Sequence, residues 1–109
     1  MRINIDRPNA QTVTLSGFAA LGGWAIDESA AISSVAVLVD RALIGAASYG
    51  GNRPDVCAVY PTGLGCPNVG WNFLLDTTGF SNGNHTLDVI VSTANGQHGT
   101  ESASFTVMN

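Results

Sequence analysis

The sequence lacks lysine and carries little charge of either sign. Its 109 residues include four basic and eight acidic residues, so the formal net charge is −4 at pH 7 and charged residues make up 11% of the chain. A negative protein repels a phosphate backbone, which excludes nucleic acid as the expected partner. The hydrophobic content of 45% favours a packed core over disorder.

Long apolar runs are also absent. No stretch reaches the roughly eighteen apolar residues of a membrane-spanning helix, so we expect no membrane span. The residues after Arg2 read Ile-Asn-Ile-Asp, which is not the apolar core of a signal peptide. We therefore interpret Met1 as an added start, and residues 1–109 as one domain taken from a longer chain.

Cysteine and histidine are scarce, with two of each. No GxSxG elbow or comparable signature supplies a nucleophile for His85 or His98, and both histidines are predicted to be surface residues. We predict no catalytic residues and no cofactor. The acidic residues are single and show no DxDxDG spacing, so no metal is predicted either.

Cys57 and Cys66 leave three interpretations open: a disulfide, a metal site or a redox site. Eight residues lie between the two cysteines, which matches neither a CxxC motif nor the paired spacing of a structural zinc site. The even cysteine number favours a disulfide. Low charge, the absence of lysine and a disulfide together favour an extracellular or cell-surface location.

Short alternating apolar runs separated by turn residues dominate the chain, and no segment shows the apolar spacing of a helix. They predict an all-β, antiparallel two-sheet sandwich of about seven strands, the first of them broken at Pro8 as edge strands often are. The predicted runs are 3–6 with 12–15, then 18–26, 32–40, 42–47, 71–75, 87–91 and 102–107.

The alternation also predicts which side chains fill the core. Even-numbered positions of the 18–26 strand are expected to face inward, and the core aromatics are then Phe18, Trp24, Trp71, Phe73 and Phe105. Three large apolar residues fall on outward faces, and we expect the long loop to cover them rather than leave an apolar patch: Leu38, Leu74 and Ile90.

Two turns carry hairpin signals. Asn95-Gly96 predicts a type I′ hairpin. Asp40-Arg41 also predicts a tight hairpin, but its type stays open because Arg41 stands where the stronger Asp-Gly signal has glycine.

Residues 49–71 form one long connection without predicted regular structure, which is unusual in a compact domain and needs its own restraint. A Cys57–Cys66 disulfide supplies that restraint. The segment around Pro54 predicts a turn or a single helical turn. Arg53 and Asp55 are expected to pin the loop by a charge-assisted hydrogen bond.

Several of these segments resemble the immunoglobulin-like domains of large secreted or surface proteins of bacteria. The resemblance covers nearly the whole chain and rests on GWAID, ISSVAVLVD, IGAASYG, RPDV, GWNF, LDTT and NGNHTL. It implies an immunoglobulin-like sandwich that serves as a non-catalytic spacer, stalk or adhesion module, with neighbouring domains of the parent protein as partners.

Three function classes follow. The first is a non-catalytic structural or interaction module, and the second is a carbohydrate-binding module that stacks a glycan on Tyr49 or Tyr60, with Arg53 and Asp55 as further possible ligand-binding residues. A glycan or a surface protein is then a possible partner. The third, a small hydrolase, is disfavoured because the sequence shows no catalytic constellation.

Overall fold

The computed structural model describes residues 1–8 and 13–109. Almost all of the regular structure is β, with one short α-helix, and this confirms the predicted class. The elements in chain order are β1 (Arg2–Arg7), β2 (Thr14–Leu15), β3 (Phe18–Ile26), β4 (Ile32–Val39), β5 (Ala42–Ala46), β6 (Ser48–Asn52), α1 (Pro54–Val59), β7 (Asn68–Asp76), a 3-10 turn (Thr77–Gly79), β8 (Gly83–Thr93) and β9 (His98–Val107).

The strands form two sheets, as expected for a sandwich. One sheet has the order β1-β3-β7-β6 and the other the order β2-β9-β8-β4-β5. All pairs are antiparallel except β2 with β9. Residues 1–8 and 13–109 form nine strands rather than the predicted seven, because the first strand is divided between the two sheets and the long loop contributes β6. The predicted 12–15 run is described only from residue 13 onward.

The outer strand that follows β4 crosses from one sheet to the other. Ala47 alone separates β5 from β6, and its amide donates to the Val35 carbonyl at 2.8 Å. The two sheets are therefore joined by continuous chain along this edge.

The core lies between the sheets and contains two of the predicted aromatics, Trp71 and Phe105, both 1% exposed. Phe73 is partly buried against them. The face predicted for β3 was wrong, because its odd-numbered residues face the main core; of the even-numbered ones Ile26 is buried, but against the long loop. Phe18 is 70% exposed, and Trp24 is only partly buried, outside the main core.

Gly23 explains which face of β3 points inward. A Cβ atom at Gly23 would lie 2.0 Å from the Asn4 carbonyl oxygen and 2.8 Å from the Trp71 indole nitrogen. The Trp71 ring thus occupies the space of a missing side chain. Ala19, Leu21 and Ala25 share this inward face, and all three are buried.

The long loop does not cover the outward apolar residues as expected. Leu74 is 63% exposed, and Leu38 and Ile90 lie on the other sheet. The loop instead packs Val56 against Ile26 and Val69 at the edge of the core. Its apolar residues therefore cover one end of the four-stranded sheet.

The two hairpins differ from each other. Asp40 and Arg41 have φ values of 51° and 69°, and two positive values define a type I′ turn. At the second hairpin only Gly96 has a positive φ, 86°, and its amide donates to the Thr93 carbonyl at 3.1 Å. The type I′ prediction for Asn95-Gly96 was therefore wrong, and the loop is a three-residue one with a left-handed glycine.

His85 is buried, contrary to the prediction that it is a surface residue. Its Nδ1 contacts the Asp40 carboxylate and its Nε2 lies 2.7 Å from the Ser81 carbonyl oxygen. Because both partners are acceptors, the ring fits as an imidazolium that donates from both nitrogens. The ring also stacks on Phe105.

The hydrogen bond to the Ser81 carbonyl, followed by the one to Asp40, raises the pKa of His85. The Thr86 amide and then the His85 ring lower the pKa of the Asp40 carboxyl. Both shifts favour the charged pair, which ties the type I′ turn to β8.

We predict that Gly23→Ala destabilises the domain by about 3 kcal/mol, the upper end for overpacking, because the clash involves strand backbone and a buried ring. Gly79→Ala is the matched control: no atom lies within 4 Å of its added Cβ, and we expect a change within about 1 kcal/mol. Urea unfolding measures both. Equal stability of the two variants would contradict this account of β3.

We also predict that stability falls as the pH rises through the folded-state pKa of His85. A raised folded pKa gives a contribution that is complete below the unfolded pKa of about 6.5 and is lost above the folded value. Urea unfolding of the wild type across neutral and mildly alkaline pH measures the loss. His85→Gln should remove this dependence, whereas His98→Gln, at an exposed position, should keep it; identical pH profiles for the wild type and His85→Gln would refute the assignment.

Candidate functional site

The loop that carries the predicted site residues is more regular than its sequence indicates. It contains β6 and the six-residue helix α1. The predicted helical turn at Pro54 is confirmed, because proline fits the first turn of a helix, where its missing N–H is not needed. The helix ends before Tyr60 and Pro61, and Gly63 and Gly65 break any continuation.

The predicted disulfide between Cys57 and Cys66 is present. The sulfur atoms are 2.07 Å apart and the Cα atoms 5.8 Å apart. It ties α1 to the segment that leads into β7. Both cysteines pack partly buried beside Val56, so the bridge fixes the helix against the sheet.

Tyr49 acts as an anchor within the fold. Its hydroxyl donates to the Ala25 carbonyl at 2.7 Å, and burial raises the pKa of the phenol to about 12. The hydrogen bond ties β6 to β3 across the intervening β7. The phenol oxygen is thereby engaged within the domain.

The Tyr60 ring contacts both Trp24 and Arg2. Its ring centroid lies 5.6 Å from that of Trp24, and the Arg2 guanidinium carbon lies 4.5 Å from the Tyr60 ring centroid on this edge of the domain. Such contacts are cation–π and aromatic pairs. Tyr49 is thus held through its hydroxyl and Tyr60 through its ring.

Arg53 makes the predicted pair with Asp55 and a second pair that the sequence did not indicate. Its Nε and Nη2 donate to the two Asp55 carboxylate oxygens at 3.0 and 2.9 Å. Its Nη1 donates to Asp6 at 2.6 Å. The hydrogen bond from Arg53 lowers the pKa of Asp55, and the bonds to Asp55 and Asp6 raise the pKa of Arg53.

The Arg53–Asp6 pair joins the two edges of the four-stranded sheet. Asp6 belongs to β1 and Arg53 follows β6, so the side chain of Arg53 crosses the central strands. A Cβ atom at Gly70 would lie 3.0 Å from Arg53 Cγ. The absence of a side chain at Gly70 therefore gives Arg53 its path.

Beside this crossing, an open groove of about 500 Å³ runs over the outer face of the sheet, and we call it the glycine groove. Sequence reasoning missed it, although glycines on neighbouring strands were a possible signal. The residues that line it include Asp6, Arg7, Gly22, Gly51, Asn52, Arg53, Gly70 and Asn72.

Two further features of the described residues bear on function. No three His, Cys, Asp or Glu side chains within 1–8 and 13–109 come together as a possible metal site. In the same ranges, no helix is long and apolar enough to cross a membrane.

Comparison with known proteins places the fold. No protein-family model matches the chain, and no curated protein matches it. The fibronectin(III)-like modules of CbhA from Clostridium thermocellum superpose with a TM-score of 0.68 at 20% identity, over 97% of this chain and 96% of that one.

Two longer structures contain a similar unit. The endo-β-1,4-mannanase from Thermotoga petrophila matches with a TM-score of 0.69 at 16% identity, over 100% of this chain and 20% of the mannanase. An engineered protein matches with a TM-score of 0.56 at 13% identity, over 99% of this chain and 20% of that one. At these identities the likeness shows the fold alone, and the chain has an immunoglobulin- and fibronectin(III)-like β-sandwich fold.

Proposed function

We propose that this domain is a non-catalytic structural or interaction module of a larger secreted or cell-surface bacterial protein. The observation that carries the proposal is the position of the chain ends on an elongated sandwich of 41 × 27 × 19 Å. Arg2 pairs with Ile26 at one pole. Val107 pairs with Leu15 and with Gly83 at the opposite pole.

The last residue is held firmly at its pole. The Asn109 side chain accepts from the Gly17 amide at 2.9 Å and donates to the Thr77 carbonyl at 2.9 Å. Its backbone amide donates to the Asn82 side chain at 2.8 Å. A chain continuing from Asn109 would leave in a defined direction, which suits a spacer between neighbouring domains.

Two other observations support a module of a larger, exported protein. The mannanase named above includes a similar unit as about a fifth of its chain, which is the arrangement that we propose for this domain. The Cys57–Cys66 disulfide suits an oxidising compartment. The mannanase thus supports a place within a larger protein, and the disulfide supports the extracellular location expected from the composition.

The second candidate is a carbohydrate-binding module. In the expected form a glycan stacks on Tyr49 or Tyr60, with Arg53 and Asp55 beside them. The Tyr49 hydroxyl is engaged with Ala25. The glycan would therefore contact the side of Arg53 that borders the glycine groove, rather than the two tyrosines. That groove is the observation that favours this candidate.

The spacer proposal predicts that two copies joined directly, Asn109 to Met1, form an extended rod. Small-angle X-ray scattering should give a maximum dimension close to twice that of the single domain, whose longest extent is 41 Å. The matched control carries Asn109→Ala at the junction and should be more flexible, because the side-chain anchors are lost. A compact pair, with the two copies side by side, would count against a spacer.

The extracellular proposal predicts that the disulfide forms on export and stabilises the domain. Closing a ten-residue loop contributes about 2.5–3 kcal/mol in the chain-entropy account, so Cys57→Ala with Cys66→Ala should lose about that much in urea unfolding. Reduced wild-type protein is the control and should behave like the double variant. Free thiols in the exported wild type, together with an unchanged stability of the variant, would overturn this proposal.

A further inference from the structure

The glycine groove crosses all four strands of one sheet. β1 contributes Asp6 and Arg7, β3 contributes Gly22, and β7 and β6 contribute Asn72 and Asn52. With strands about 4.8 Å apart, the groove extends roughly 14 Å across the sheet. The groove has a volume of about 500 Å³ and is open to solvent rather than enclosed.

Glycines keep the floor of the groove low. A Cβ atom at Gly22 would lie 3.2 Å from the Trp71 carbonyl oxygen and 3.4 Å from the Asn72 side-chain oxygen. A Cβ atom at Gly51 would lie 3.5 Å from the Asn72 side-chain nitrogen. A side chain at either position would therefore touch the Asn72 amide at van der Waals distance, whereas the two glycines leave both sides of the amide open.

The exposed lining of the groove is polar, apart from Ala20. Asn52, Asn72 and Arg7 are exposed, and the two amides offer a donor and an acceptor each. Arg53 is already paired with Asp6 and Asp55, so the groove has mixed charge without a strong field of one sign.

These features define the ligand by chemistry. An anion would meet the carboxylate of Asp6, and a peptide strand adds to a sheet edge rather than across a sheet face. Planar amides and a guanidinium match hydroxyl groups, which both donate and accept. On the same outward face, Leu74 is 63% exposed two residues from Asn72 and offers an apolar contact for the CH face of a sugar ring.

We propose that the glycine groove binds a neutral oligosaccharide laid across the strands, with Asn72, Asn52, Arg7 and Arg53 as the residues that bind its hydroxyl groups. The inference rests on the second candidate function and names its site and ligand class. The spacer role does not depend on it, because a module can carry a binding groove or lack one.

The test is nitrogen-15 NMR titration of the whole 109-residue chain with cellohexaose, mannohexaose, xylohexaose and chitohexaose. Each sugar is used up to about 5 mM, where even a Kd of about 1 mM gives roughly 80% occupancy. Hexagalacturonate serves as the acidic counterpart. We expect at least one neutral sugar to shift the signals of Gly22, Gly51, Gly70 and the Asn72 side chain.

Two variants then test the assigned residues. Asn72→Ala and Arg7→Ala should each weaken binding of the responding sugar about five- to tenfold, as expected for one lost hydrogen bond. Matched controls at exposed positions away from the groove, Asn84→Ala in β8 and Arg41→Ala in the type I′ turn, should leave its Kd unchanged. The spectrum of each variant reports whether the domain is folded.

Three results would overturn the proposal: no shift in the groove with any of the neutral sugars, shifts centred on Tyr60 and Trp24 instead, or tighter binding of hexagalacturonate. None of them would change the scattering of the two-copy protein. Failure of the groove and failure of the spacer role are therefore separable.

Discussion

The packing of the Trp71 indole against the bare backbone of Gly23 is the constraint on which the four-stranded sheet depends. The ring fills the volume that any side chain at Gly23 would take, and it is 1% exposed. Once that contact is fixed, the side-chain period of two assigns every other residue of β3 to a face. Leu21 and Ala25 then point into the core. Trp24 and Gly22 point outward, so this buried contact also creates the surface on which the groove lies.

The sequence predicted the inward face of a strand where the other face carries polar residues, and it predicted the wrong face in β3, although the bounds of that strand were right. In β7, Trp71 and Leu75 alternate with Asn72 and the inward face is clear. In β3, the residues FAALGGWAI are small or apolar at both odd and even positions. The even-numbered face was predicted to point inward because it carries both aromatic residues, Phe18 and Trp24. Strand β6, SYGGN, was hidden because glycine and asparagine are poor β formers.

The local part of the candidate site was predictable and the long-range part was not. Arg53 and Asp55 are two residues apart, so their pairing follows from the turn chemistry of the loop. The Arg53–Asp6 pair spans 47 residues and depends on the strand order, which single-sequence patterns do not supply. The burial of His85 has the same origin, because its partner Asp40 is 45 residues away. Contacts that depend on the order of strands in a sheet therefore cannot be predicted from residues that are neighbours along the chain.

The opposite positions of the chain ends have a mechanical consequence. A pull on both ends acts along the strands, since β1 leaves at one pole and β9 at the other. The hydrogen bonds between β1 and β3, and those between β8 and β9, are then loaded together in shear rather than opened one after another. The continuous chain through Ala47 also links the two sheets along one edge. The hydrogen bonds of both sheets would therefore resist a pull along the long axis at the same time.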